Sequence, residues 1–101
     1  MPGEFLHLEK GDRVLLAPLF LGPWDSAART VVEDANPLDL TQDRRETAAY
    51  VIDGKGELEV NGQSFPLERG SAAMLLKGSN VRFVARPQLE LLFVSLSLGE
   101  A

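Results

Sequence analysis

The fold of this chain is decided by residues 55–68, which read KGELEVNGQSFPLE. Acidic and apolar side chains alternate from Glu57 to Val60, and the alternation ends at the pair Asn61-Gly62. Strict alternation is typical of a strand with one buried face. Asn-Gly is the preferred two-residue hairpin turn, because both of its positions must tolerate a positive φ angle. The stretch therefore predicts a β-hairpin.

Burial fixes the register of this hairpin. We expect Val60 and Gln63 to flank the turn. Leu58 then lies opposite Phe65, and the apolar side chains of both strands share one face. A slip by one residue would instead place the intervening glutamates in the core. The predicted apolar face consists of Leu58, Val60, Phe65 and Leu67.

Glycine and proline recur at short intervals along the whole chain, which leaves segments of strand length and no room for a long helix. We therefore predict an all-β protein of about eight short strands. Besides the hairpin, the predicted strands lie near residues 14–20, 28–33, 46–52, 71–75, 81–85 and 89–98. Residues 34–45 are rich in turn-forming side chains, and we predict a loop or a single helical turn there.

Composition predicts one globular domain spanning residues 1–101. The chain is 45% hydrophobic and 25% charged, as is ordinary for a folded domain of this size. It contains no cysteine, so disulfides, thiolate catalysis and thiolate metal sites are excluded. A net charge of -5 argues against a nucleic-acid partner, because such binding depends on clustered Lys and Arg.

No membrane partner is expected either. The longest apolar run, residues 14–21, contains Pro18 and is much shorter than the roughly 20 residues that span a bilayer. The first residues of the chain lack a basic region followed by a hydrophobic stretch. We therefore expect no secretory signal and a cytoplasmic protein.

The last predicted strand carries apolar side chains on both faces. One face holds Leu92, Val94, Leu96 and Leu98, and the other holds Leu89, Leu91 and Phe93, followed by Ser95 and Ser97. A strand with apolar side chains on both faces needs residues packed against each face. A second copy of the chain in a homodimer would supply residues for the second face, and so would residues 14–21 of the same chain. The sequence leaves both arrangements open, and we expect a homodimer.

Residues 50–62, which read YVIDGKGELEVNG, resemble the cupin family, as do residues 67–70 and 77–78. The resemblance covers roughly residues 40–96. In the family, a glycine-framed hairpin joins two motifs that surround the mouth of a β-barrel. The resemblance therefore implies a jelly-roll barrel, the double-stranded β-helix of the cupins.

The resemblance also implies where a cupin holds its metal ion, and those positions lack histidine in this chain. Counting back from Gly54 places Thr47 where the family has a glutamate. The second motif of the family expects a histidine at Val81. The two histidine positions of the first motif fall on Thr41 and Asp43, or on Leu40 and Gln42.

Imidazole nitrogen is the neutral donor that suits a catalytic transition metal. The single histidine, His7, lies outside both motifs, and we expect it to be a partly exposed residue of an arm or strand. We therefore expect no metal ion and no other cofactor.

Two enzymatic alternatives stay open. A metal-dependent enzyme of dioxygenase or isomerase type could use the oxygens of Asp43, Glu46 and Gln42 in place of imidazole. Residues 43–46 also fit a solvated loop with internal charge pairing. The second alternative is a metal-independent sugar isomerase or epimerase, and the lack of a histidine base in the barrel argues against it.

Our main hypothesis is a metal-free, noncatalytic protein that binds a small molecule in the barrel or serves as an accessory or interaction domain. If Thr47 faces inward, period-two alternation turns the neighbouring alternate residues inward as well. The predicted interior residues are Thr47, Ala49, Val51, Val81 and Phe83. The predicted polar residues of the mouth are Thr41, Gln42, Asp43, Arg44 and Thr47. Arg44 could clamp a carboxylate or a phosphate, because guanidinium binds such anions bidentately.

Overall fold

The strands form one antiparallel seven-stranded sheet in the computed structural model of the protein, which describes residues 7–16 and 24–98. The strands are β1 (Arg13–Leu15), β2 (Trp24–Glu33), β3 (Leu38–Thr41), β4 (Arg45–Val60), β5 (Gln63–Glu68), β6 (Ala72–Leu75) and β7 (Asn80–Ser97). Their order is β1-β2-β7-β4-β5, while β3 also pairs with β7 and β6 with β4. The all-β prediction is confirmed. No helix that could cross a membrane occurs within these ranges.

Two long strands organise the sheet. The 16 residues of β4 and the 18 residues of β7 pair antiparallel over their whole length, from Arg45 opposite Ser97 to Val60 opposite Val81. The sequence predicted two short strands in place of β4, at 46–52 and 55–60. It likewise predicted two in place of β7, at 81–85 and 89–98. The predicted number of strands is wrong, because the register shifts near Gly54 bend β4 and β7 without ending their pairing.

The predicted loop at residues 34–45 contains a strand. Leu38 lies opposite Phe83 in β7, and Leu38 and Leu40 pack against the core. On the outer side, Arg82 Nε donates to Asp39 Oδ1 at 2.7 Å, and this hydrogen bond lowers the pKa of the Asp39 carboxyl. The loop prediction was wrong for β3, because a four-residue strand depends on a partner that is distant in sequence.

The hairpin register is confirmed. Val60 pairs with Gln63 and Leu58 with Phe65 across a turn in which Asn61 and Gly62 both have positive φ. The predicted apolar face is only partly buried, because Leu58 and Leu67 lie in the core whereas Phe65 is 47% exposed. This difference follows from the position of β5 at the end of the strand order, where no further strand covers it.

The interior is packed with side chains from β4 and β7. The predicted interior residues are all buried, and Phe83 is fully so. The rings of Phe83 and Phe93 meet edge to face, with centroids 5.5 Å apart. Aromatic rings in this arrangement attract each other beyond the area that they bury. The middle of the barrel is therefore filled.

The last strand has apolar side chains on both faces, as predicted. Leu89, Leu91 and Phe93 face the core, while Leu92, Val94 and Leu96 are half-buried on the other side. Within the described part of residues 14–21, Val14 pairs with Ala27 of β2 and so extends the sheet beyond that strand. Residues 17–21 lie outside the described residues. The homodimer stays a prediction.

A buried ion pair joins the N-terminal segment to the sheet. Glu90 is only 8% exposed and accepts hydrogen bonds from the Arg29 guanidinium. Arg29 also donates to the carbonyl oxygen of Leu8 at 2.8 Å. Removing one partner of a buried pair leaves the other charge unpaired in a poorly solvated place.

Substitution of two glycines with nearly equal φ angles separates backbone strain from steric clash. Gly54 has φ +93 and Gly70 has φ +92, but a Cβ at Gly54 would lie 2.0 Å from the Gln88 carbonyl oxygen, whereas Gly70 faces open space. We expect Gly70→Ala to destabilise the fold by about 1–2 kcal/mol, through strain alone. Gly54→Ala should destabilise it by at least about 2 kcal/mol more. Urea unfolding of both variants checks this difference, and equal losses would contradict the close approach of β4 to β7.

A second pair of variants tests the buried ion pair. Arg29→Met should lower the free energy of unfolding by about 2–3 kcal/mol, because Glu90 loses its hydrogen-bonded partner and keeps, among the described residues, only Lys10, whose Nζ atom is 3.8 Å from Glu90 Oε1. Arg82→Met removes the same side chain from the exposed pair with Asp39 and should change stability little. Chemical denaturation measures both variants. Similar effects of the two substitutions would show that burial of Glu90 does not matter for folding.

Candidate ligand-binding site

A row of hydroxyl groups crosses the inner face of the sheet near one end. Ser26 of β2 lies opposite Ser95 of β7, which in turn lies opposite Thr47 of β4. Directly opposed residues of an antiparallel pair share a face. All three side chains are buried, with exposed fractions of 5%, 5% and 4%. The row therefore points into the barrel.

Polarity falls with depth below this row. The next row is Ala28, Phe93 and Ala49, and the one after it is Thr30, Leu91 and Val51. The floor of the site is thus mainly apolar, with Phe93 packed against Phe83 and Thr30 as the polar member of the deeper rows.

A cavity of about 210 Å³ lies between the hydroxyl row and Phe93. Its polar lining comes from Ser26, Thr30, Gln42, Thr47 and Ser95, with Arg13 and Arg45 also present, and its apolar lining from Ala28, Leu38, Leu40 and Phe93. The barrel is therefore filled in its middle and open at this end.

Gln42 is placed over the cavity by the chain that follows β3. Its backbone N–H donates to the Ser79 carbonyl oxygen at 2.9 Å, and its own carbonyl oxygen accepts from Gly78 N–H at 2.7 Å. These bonds tie it to the turn between β6 and β7. Its side chain is 3% exposed. The amide group is thus held firmly in the wall of the barrel.

A chain of hydrogen bonds connects the polar side chains of the wall. Thr47 Oγ1 donates to Gln42 Oε1 at 2.8 Å and lies 2.9 Å from Ser95 Oγ. Because a hydroxyl carries one proton, Ser95 must donate to Thr47 in this arrangement. A flip of the Gln42 amide would reverse the direction of the whole chain.

One end of this chain is left open to the cavity. The Gln42 amide nitrogen forms no hydrogen bond with a described residue, yet no fully buried side-chain nitrogen or oxygen of the described residues lacks a partner. The nitrogen is therefore in contact with open space, and the space that Gln42 lines is the cavity. It is available to a ligand.

Two arginines stand at the mouth. Arg13 of β1 lies opposite Ala28, and Arg45 begins β4. The Arg45 Nη1 atom is 4.0 Å from Asp25 Oδ2, whereas Arg13 has no ion pair with any residue in the described ranges. Two guanidinium groups and one carboxylate give the mouth a net positive charge.

The predicted mouth residues divide into two groups. Gln42 and Thr47 line the cavity. Thr41 is exposed and donates to Asn80 Oδ1 at 2.9 Å on the outside of the barrel, and Asp43 and Arg44 are exposed as well. Arg44 does not line the cavity, so the structure does not place it where we expected an anion clamp.

Sequence reasoning missed several residues that line the cavity. Ser95 could have been found, because it continues the inward alternation of Leu91 and Phe93. Ser26 and Arg13 carried no local signal, since only the register of β2 with its neighbours brings them to the site.

The residues at the positions where the resemblance implies metal ligands do not fit a transition metal. The buried donors there are the Gln42 amide and the Thr47 hydroxyl, which are bonded to each other, and Val81 offers no donor. Glu46 lines a groove on the outside with Val94. Transition metals favour imidazole and thiolate ligands, and neither is present in this set.

No cluster of histidine and carboxylate ligands forms elsewhere. Among residues 7–16 and 24–98, no group of three or more His, Cys, Asp or Glu side chains could hold an ion. His7 is exposed, with its Nε2 atom 2.9 Å from Glu9 Oε1.

No protein-family model matches the sequence, and no curated protein matches it. Several solved structures match the fold of this chain. A cupin protein from Bacteroides fragilis matches with TM-score 0.74 and 13% identity, over 100% of this chain and 89% of that one. Ectoine synthase from P. lautus matches with TM-score 0.72 and 26% identity, over 84% of this chain and 61% of that one.

The EutQ protein of Clostridium difficile matches with TM-score 0.64 and 19% identity, over 76% of this chain. This chain spans 55% of the EutQ structure. These likenesses confirm the predicted double-stranded β-helix. The chain therefore has the fold of the cupins.

Proposed function

We propose that the protein is a metal-free, noncatalytic cupin-fold protein that binds a small polar molecule in the cavity at the mouth of the barrel. The observation that carries this proposal is the Gln42 amide, which is almost fully buried but has an N–H group facing open space. A donor that faces a cavity can bond to water, and a ligand oxygen held at the right position can take the place of that water. The N–H group therefore offers a fixed, directional contact to a ligand.

The size and polarity of the cavity define the ligand further. A volume of about 210 Å³ lies below the range of roughly 300–1,000 Å³ for pockets that take drug-sized ligands. The wall carries hydroxyl and amide groups, and the floor is the ring of Phe93. The ligand that fits is a short carbon chain with a hydroxyl group. A hydroxyl both donates and accepts, so it matches either direction of the hydrogen-bond chain.

The lining argues against catalysis. A general acid or base works best with a pKa near the operating pH. The side chains that line the cavity are hydroxyl, amide, guanidinium and apolar groups, and the described lining includes neither histidine nor carboxylate. The Ser95 hydroxyl hydrogen-bonds to Thr47 and has no base beside it there. Binding without turnover is the function that these groups support.

Removal of one hydroxyl tests the proposal. We expect 1,4-butanediol, added in the presence of EDTA, to shift the backbone amide signals of Gln42, Thr47 and Ser95 in NMR spectra. Thr47→Val should weaken this binding by about fivefold, because it removes the centre of the hydrogen-bond chain. Thr41→Val is the matched control, since it deletes the same hydroxyl on the outside of the barrel and should leave the affinity unchanged.

A second variant separates loss of binding from loss of folding. Ala28→Leu adds side-chain volume to the cavity without touching the chain of hydrogen bonds, and it should abolish binding while the protein still unfolds cooperatively. If the diol shifts none of the three signals, or binds as well to the filled variant, the cavity is not a binding site.

A further inference from the structure

We propose that the ligand of this cavity is a small hydroxy acid whose carboxylate lies between Arg13 and Arg45 at the mouth. The inference rests on the proposed function and adds the charge and orientation of the ligand. The hydroxyl end would meet Gln42, Thr47 and Ser95, and the anionic end would face outward.

Arg13 differs from most arginines of the sheet. Arg29, Arg82 and Arg86 each form a hydrogen-bonded ion pair with a carboxylate. Arg13 has no such partner in residues 7–16 and 24–98, although it lines the cavity beside Ala28. A guanidinium presents a planar fork of donors that matches a carboxylate. This fork is unused at the mouth of the cavity.

Arg45 is also incompletely neutralised. Its side chain is 47% exposed, and Asp25 is its carboxylate neighbour, with Oδ2 4.0 Å from Nη1. Asp25 Oδ2 is shared with the Ser26 hydroxyl, which donates to it at 3.3 Å. Such a distant, half-exposed pair contributes little energy. Arg45 therefore keeps donors for a ligand.

The charge at the mouth favours a carboxylate over a phosphate. Arg13 and Arg45 line the cavity, and Asp25 lies 4.0 Å from Arg45, so these three groups have one positive charge in excess, which a single carboxylate balances. A phosphate monoester carries about two negative charges at neutral pH and would leave an excess beside Asp25. Guanidinium binds both anions, so the choice between them comes from this balance and from the small volume.

A pair of probes of equal length tests the inference. We expect 4-hydroxybutyrate to bind at least about tenfold more tightly than 1,4-butanediol, because a charged hydrogen bond is added at one end only. Arg13→Ala should remove most of that advantage and weaken binding of the uncharged diol much less. High salt should weaken binding of the acid and not of the diol. Isothermal titration or NMR titration measures all of these affinities.

Arg69→Ala is the matched control. Arg69 is exposed, has no ion pair among the described residues and lines a different groove, with Asp53 and Glu68. Its substitution removes the same charge from the protein and should leave both affinities unchanged. An equal effect of Arg69→Ala and Arg13→Ala would mean that the acid responds to net charge alone, and this would overturn the inference.

The remaining outcomes separate the two proposals. Equal binding of the acid and the diol, with no effect of Arg13→Ala, would overturn the anionic site and leave the proposed function intact. Tighter binding of butyl phosphate than of 4-hydroxybutyrate would replace the carboxylate with a phosphate and so refute this inference. If neither the acid nor the diol binds, both proposals fail.

Discussion

The pairing of β4 with β7 is the constraint on which the rest of the structure depends. It places Thr47 opposite Ser95 and Ala49 opposite Phe93, so it sets both the polar wall and the apolar floor of the cavity. Side chains of a strand alternate between its faces, and a shift of one residue would send Leu96 inward in place of Ser95. The same pairing needs Gly54, because any Cβ there would collide with the backbone of β7.

The sequence predicted those features that depend on neighbouring residues. The hairpin register follows from local alternation and the Asn-Gly turn. The burial of Val51 and Phe83 follows from alternation counted from Thr47 and Val81, whose positions the resemblance supplied, and both predictions are observed. The strand β3 was missed because its partner, residues 80–83, lies some forty positions away. Local composition at residues 34–45 carries no information about that partner.

The candidate site was predicted in part for the same reason. Gln42 and Thr47 were identified by their positions in the resemblance, whereas Ser26 and Arg13 reach the cavity only through the pairing of β1, β2 and β7. Arg44 was expected at the mouth because it follows Gln42 closely in sequence. The chain turns at Arg44, where φ is 59, and Arg45 lines the cavity instead.

The polar wall satisfies its own hydrogen bonds at the positions where the resemblance implies metal ligands. Buried polar groups must be hydrogen-bonded, and here they bond to one another from Ser95 through Thr47 to Gln42. In the function that we propose, the remaining open donor and the arginines at the mouth would select a ligand by hydrogen bonding and local charge. The protein as a whole carries a net charge of -5, and salt screens fields beyond about 8–10 Å. The proposed anion would therefore not be drawn in from a distance, and its affinity would come from contacts made inside the cavity, which lengthen its residence there.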